Sequence, residues 1–254
     1  MVRPGGPIMR YGLVMLALGL LWKLAAVALG GVILPHPEDA LAAFASALST
    51  RIFWEHFCIS GYRAVTAMAL AWCVAFPLGL VMGSVRRADA LLAPFIFLTY
   101  PIPKIVLLPV FLLLFGLGDA SKIAMIALIL GYQILVTTRD GVRSIHPKYF
   151  DSVRSLGGSR WNVLREVLLP AALPHGFTAL RLGTGVSVAV LFFVESFATT
   201  RGLGYMIMDA WGAMDYLGMF TGIIGMSLMG AALYELANFM ERKACRWMFL
   251  RKKG

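Results

Sequence analysis

Asp151, Gly157 and Pro170 stand at fixed intervals in the most polar stretch of an otherwise greasy chain, FDSVRSLGGSRWNVLREVLLPAALP, Phe150 to Pro174. A carboxylate, a residue that turns the backbone freely and a residue without an amide donor make a shaped surface rather than a reactive one. Arg154, Arg160 and Arg165 stand beside them, in a stretch too soluble-looking for its surroundings. A second set of ionisable residues, Lys23, Lys104, Arg181 and Glu195, falls inside apolar runs. A charge at membrane depth costs at least about 2.5–3.5 kcal/mol, so each needs a partner or a task. Nothing assembles a reaction centre. His36, His56, His146 and His175 are far apart, and Cys58, Cys73 and Cys245 give neither a disulfide framework nor metal-ligand spacing. There is no G-x-x-x-x-G-K-[ST] phosphate loop, so the chain is not expected to hydrolyse ATP, to be an enzyme, or to carry a cofactor or metal.

The elements that must position these residues follow from composition. Of 254 residues, 59% are hydrophobic and 14% charged, against roughly 25% charged in a typical soluble domain. The class is a polytopic membrane protein. Six apolar spans are predicted, at 11–34, 62–84, 90–116, 120–138, 174–198 and 216–238. The runs are continuous rather than alternating, so the fold class is all-α and not a barrel. The first run is longer than a signal-peptide core, which spans about 7–15 residues, and reads as a retained anchor. No internal repeat is visible, and residues 1–254 are expected to form a single transmembrane domain.

The net charge of +10 raises the question of nucleic acid, but its placement answers for a membrane. With the N-terminus inside, sixteen of the 23 basic residues fall in inner segments. These are Arg3 and Arg10, then Arg86 and Arg87, then the loop from Arg139 to Arg165, then the tail from Arg242 to Lys253. Three, Arg51, Lys122 and Arg201, fall outside. Both termini are therefore expected in the cytoplasm, and no nucleic-acid partner is expected. On the outer side, Pro37 to Gly61 reads as an interfacial helix, with Pro37 in its first turn and Glu38 and Asp39 at its positive end.

The inner loop of about residues 139–172 is too polar to span and too patterned to be a linker. Pro147 suits a first helical position, Gly157 a C-terminal cap, and Phe150, Val153 and Leu156 form one apolar stripe. Ser159 suits the N-cap of a second helix carrying Trp161, Leu164 and Leu168, which Pro170 is expected to end. An amphipathic loop lying on anionic lipid would show the same pattern.

The spacing resembles the inner-membrane permease subunits of bacterial ABC importers. Their cytoplasmic motif reads E-A-A, three residues, G, nine residues, I-x-L-P. Asp151-Ser152-Val153 stands at E-A-A, Gly157 at the glycine and Val167-Leu168-Leu169-Pro170 at I-x-L-P. The carboxylate is shortened, and Ser152 and Val153 replace alanines, while the glycine and proline that shape the backbone are kept. TYPIPKIVLLPVFLLLFGLGDASKI and VESFATTRGLGYMI are similar to segments of the nitrate/sulfonate/taurine-type permeases. The resemblance implies a type I importer fold. It also implies a coupling loop that docks on a separate ATPase through Asp151, Ser152, Val153, Gly157, Arg160, Trp161 and Pro170. Two ATPase subunits, a periplasmic binding protein and an inner-membrane location are implied with it. Six spans are few for an enclosed polar route, and a homodimer would place the path on its two-fold axis. Nitrate, taurine or an alkanesulfonate is the implied substrate class, with a vitamin precursor such as a thiamine pyrimidine as the alternative. A stand-alone secondary transporter would more often show inverted repeats and mid-membrane coupling carboxylates.

The translocation path is expected near Pro101, Pro103 and Lys104, because broken helix is tolerated where it lines a cavity. Lys104 either meets an anionic substrate or pairs with a carboxylate. Glu195 either lines the outer mouth, or contacts a binding protein, or pairs with Arg201. Arg181 snorkels inward or pairs across helices, Lys23 snorkels, and Glu235 meets the basic tail.

Overall fold

A backbone that crosses lipid must satisfy its own hydrogen bonds, and a helix does so within one segment. The computed structural model describes residues 7–31, 33–197 and 199–250; among them are twelve α-helices and no strand. They are α1 (Pro7–Leu29), α2 (Pro37–Ala47), α3 (Arg51–Ser84), α4 (Arg86–Thr99), α5 (Leu108–Phe115), α6 (Asp119–Arg143), α7 (Pro147–Ser155), α8 (Arg160–Val163), α9 (Leu169–Glu195), α10 (Leu203–Gly212), α11 (Tyr216–Ala244) and α12 (Arg246–Leu250). Arg3, Arg251, Lys252 and Lys253, which weigh on the charge asymmetry, lie outside the described residues.

Five helical stretches are long and apolar enough to cross a membrane: α1, α3, α6, the continuous run Arg160–Glu195, and α11. The third expected span is α4 and α5 together, bent by 87° at their break, and counts as a sixth if the pair is one crossing. Pro101 and Pro103 occupy that break, and Pro109 sits in the first turn of α5. Pro103 has no N–H to offer the Thr99 carbonyl four residues earlier, so the helix cannot continue.

Several boundaries differ from the expected ones. The first span ends at Leu29, where Gly30 takes a positive φ of 70°. The interfacial helix stops at Ala47 rather than Gly61, and residues 51–61 are the first turns of α3. Thr50 caps the new helix by accepting from the Phe53 amide, and the Ser49 and Thr50 hydroxyls bond back to the carbonyls of Ser46 and Ala47. Those local bonds compete with helix continuation. The fourth span runs past Arg139-Asp140 to Arg143, because Arg139 finds Asp89 on α4. Pro170 does not end its helix. A π-helical turn at Leu164–Leu168, closed by the Leu169 amide on the Leu164 carbonyl, makes room for the ring, and α9 follows without a break. The sequence reading also missed α10.

The helix α6 packs between α3 and α9, and α11 packs against α9 and α10. Close approach of α3 and α6 uses Gly79 and Gly83, one turn apart. A Cβ on Gly79 would lie 2.6 Å from the Leu135 carbonyl, and one on Gly83 would lie 2.5 Å from Val142 Cβ. Small residues four apart are a usual way for helices to touch in lipid, where there is no hydrophobic drive between them. Around that contact Met125, Ile126, Leu130, Ile134 and Leu191 are buried, and Trp72 stacks on Phe76 and meets Phe177 at a tilt of 31°. Outward, α4 and α5 show Leu91, Leu98 and Leu113 at more than three-quarters exposure, as lipid-facing side chains do. The helix α1 stands apart. Trp22 stacks on Phe220 of α11, Trp22 donates to the Pro35 carbonyl, and Lys23 pairs with Glu38. Lys23 therefore reaches α2 rather than snorkelling along lipid.

Candidate functional site

The polar loop is built from caps. Pro147 opens α7, and His146 Nδ1 accepts from the Lys148 amide at 3.2 Å. The chain reverses at Gly157, whose φ of 76° suits a residue without a Cβ. Its amide and that of Gly158 bond to the carbonyls of Arg154 and Val153, both at 2.9 Å. Ser159 then caps α8 through a capping box with Asn162. Both predicted helices and the glycine bend are present. The apolar stripes are not fully seated on the protein: Val153 and Leu164 are half-buried and Leu168 is buried, but Leu156 is 88% and Trp161 66% exposed. Asp151, Ser152, Arg154 and Arg160 are exposed too, and Pro170 is half-buried. The loop thus presents a knob of two large apolar side chains ringed by charge.

This knob sits beneath the ends of α3 and α4. A cavity of about 690 Å³ separates it from Arg86 and Arg87. Beside it Asp89 holds both Arg139 and Arg143, tying α4 to the end of α6.

At the opposite end lies a cluster that the sequence reading did not assemble. Glu195 is fully buried and meets Arg63 of α3 at 2.8 Å. Ser60 donates to the same carboxylate at 2.8 Å, and the Gly204 amide does so at 2.9 Å. Arg63, only 3% exposed, also holds Asp119 at the start of α6 and donates to the Arg201 carbonyl. The Leu203 amide bonds to Ser60, and the Gly202 amide to His56. Glu195 therefore neither lines an open mouth nor pairs with the Arg201 side chain. The chain turning into α10 wraps over it, and Gly202 permits this, since a Cβ there would lie 2.4 Å from the carboxylate carbon. The available sequence signal was complementary charge in apolar surroundings, at Arg63 and Glu195.

Among the described residues Lys104 pairs with no carboxylate. Its ammonium donates to the carbonyls of Thr99, Tyr100 and Ile102 at 3.1–3.4 Å and lies 4.0 Å above the Tyr132 ring. The ammonium thus supplies the donor that Pro103 cannot. Pro101 and Pro103 are exposed beside it. Arg181 pairs across helices, 3.2 Å from Glu241 of α11, and Glu235 accepts from Asn238 on its own helix, while Arg251, Lys252 and Lys253 of the tail lie outside the described residues.

Five long apolar helical stretches, a proline-broken helix pair and a capped polar knob at one end describe a polytopic helical membrane protein. Residues 75–244 match the family described as binding-protein-dependent transport system inner membrane component, and the chain belongs to that family. It is a permease subunit of an ABC importer of the nitrate/sulfonate/taurine type, a transport component rather than an enzyme. A putative aliphatic sulfonates permease of Bacillus subtilis is 30% identical over 215 residues, covering 85% of this chain and 78% of that one. The taurine permease of Escherichia coli is 31% identical, covering 89% and 84%. A riboflavin permease of Chloroflexus aurantiacus is 32% identical, covering 95% and 91%. In fold the chain is similar to the MetNI methionine ABC transporter in an inward-facing conformation, with a TM-score of 0.63 at 15% identity over 77% of this chain and 99% of that one.

Proposed function

We propose that this chain forms the translocation path as a homodimer and is driven through its polar loop by two cytoplasmic ATPase subunits. A periplasmic binding protein delivers the substrate. The observation that carries this reading is the knob at Gly157. A capped bend holds Leu156 and Trp161 out from the fold, with Asp151, Arg154 and Arg160 around them. Exposed aromatic and aliphatic anchors inside a charged rim are what a docking element needs. Both termini and the knob lie on the cytoplasmic side in this reading, consistent with the basic residues of the loop. Residues 1–254 act as one domain, supported by the single cluster of buried side chains that runs from Phe53 to Cys245.

The path runs beside the break at Pro101, Pro103 and Lys104. The substrate is a small anion such as nitrate, taurine or an alkanesulfonate, supported by the sulfonate and taurine relatives. The riboflavin relative supports a vitamin as the second reading. The test of coupling is co-purification of the permease with its ATPase. Leu156→Asp with Trp161→Asp should leave a folded permease but cut ATPase capture and binding-protein-stimulated hydrolysis by about tenfold or more. Unchanged capture would overturn the reading. Uptake of radiolabelled taurine competed by butanesulfonate and nitrate, but not by riboflavin, would support the anion; the reverse would support the vitamin.

A further inference from the structure

Polar side chains cannot face hydrocarbon cheaply, so where they gather at membrane depth they mark water or ligand. One cavity of about 540 Å³ has this character. Tyr100 and Lys104 at the break form one wall, Tyr132, Gln133 and Thr137 of α6 another, and Val190 of α9 the third. Gln133 is the fifteenth of the 25 residues of α6, near the middle of the crossing. Gln133 and Thr137, one turn apart, are half-buried, and both line the cavity. Gly183 of α9 gives Gln133 room, since a Cβ there would stand 3.1 Å from its Oε1. No acidic residue lines the cavity. The carbonyls that hold the Lys104 ammonium fix its position without cancelling its charge. Tyr132 is itself anchored by its hydroxyl on Thr99, at 2.8 Å.

We propose that this cavity is a transit site for a small organic anion, attracted by Lys104 and hydrogen-bonded by Gln133 and Thr137. The proposal rests on the permease reading and adds the chemistry of the path. The neutral donors and the single cation suit a sulfonate or carboxylate that must enter and leave again; a second cation would hold it too long.

The test uses the full chain in membrane vesicles, with the exposed Cys58 and Cys73 changed to alanine and Thr137→Cys introduced. Two methanethiosulfonate reagents of similar size serve as probes, the anionic ethylsulfonate and the cationic ethyltrimethylammonium. Both require the same thiolate, so their rate ratio, divided by the same ratio measured with a small free thiol, reports the charge of the cavity, and all ratios below are on that scale. The anionic reagent should react about tenfold faster. Lys104→Gln should bring the ratio towards one, and Lys104→Arg should restore it, which separates charge from any loss of the helix break. No reaction with either reagent, from either side of the membrane, would overturn the proposal, because the face would then be closed by lipid or by a second copy. A ratio indifferent to Lys104→Gln would overturn it as well. ATPase capture is read separately. Selective labelling without capture would sink the importer mechanism and leave the anion site, and capture without selectivity would do the opposite.

Discussion

Glu195 shows how a single side chain can be misjudged from its position in the chain. An acid near the end of a span reads as interfacial, but this one is fully buried and held by Arg63, Ser60 and the Gly204 amide. Removing one partner of a buried pair leaves the other charge stranded and costs about 3–5 kcal/mol. Arg63→Ala is therefore expected to lower the unfolding midpoint of the detergent-purified chain sharply. The Arg63→Ala/Glu195→Ala double variant should cost clearly less than the sum of the two single changes. Full additivity would mean that the two groups do not depend on each other. The Arg63–Glu195 pairing was not legible because its members stand 132 positions apart, and no local pattern links such residues. Lys104 was legible as an anomaly but not in its bonding, because the carbonyls it serves become free only once the helix has broken.

At the scale of helices, apolar length and capping residues carried most of what could be read. Ser159, Gly157 and Pro147 sit where their local chemistry places them, and both short helices of the polar loop follow. The reading failed where a longer-range contact or a rarer turn won. Pro170 stops an ordinary α-helix, yet a wider π turn absorbs it, and Arg139 extends α6 because Asp89 waits on α4. The tight α3–α6 contact makes a sharper demand. Gly83→Ile should disrupt it, since even a Cβ would lie 2.5 Å from Val142, and overpacking costs about 1–3 kcal/mol or more. Gly61→Ala, with nothing within 4 Å of the new methyl group, should change thermal stability little. Equal losses at the two sites would point to helix propensity rather than packing.

The whole molecule sorts its charges by end. Arg86, Arg87, Arg143, Arg154 and Arg160 gather around the knob, while Arg63 and Lys122 at the other end are buried. With the knob in the cytoplasm, a fluorescent protein fused after Gly254 should glow, and alkaline phosphatase fused there should be inactive; an active phosphatase would reverse the assignment. One feature then joins the two ends. Because the π turn passes Pro170 without a break, Arg160–Glu195 is a single run of 36 residues, about 54 Å long. It begins beside Trp161 on the knob and ends at the Glu195 carboxylate locked to Arg63. Such a run is a lever with no elbow. Under the proposed coupling, a stroke applied at its foot would arrive at its head, where the ion pair would either hold that end shut or give way.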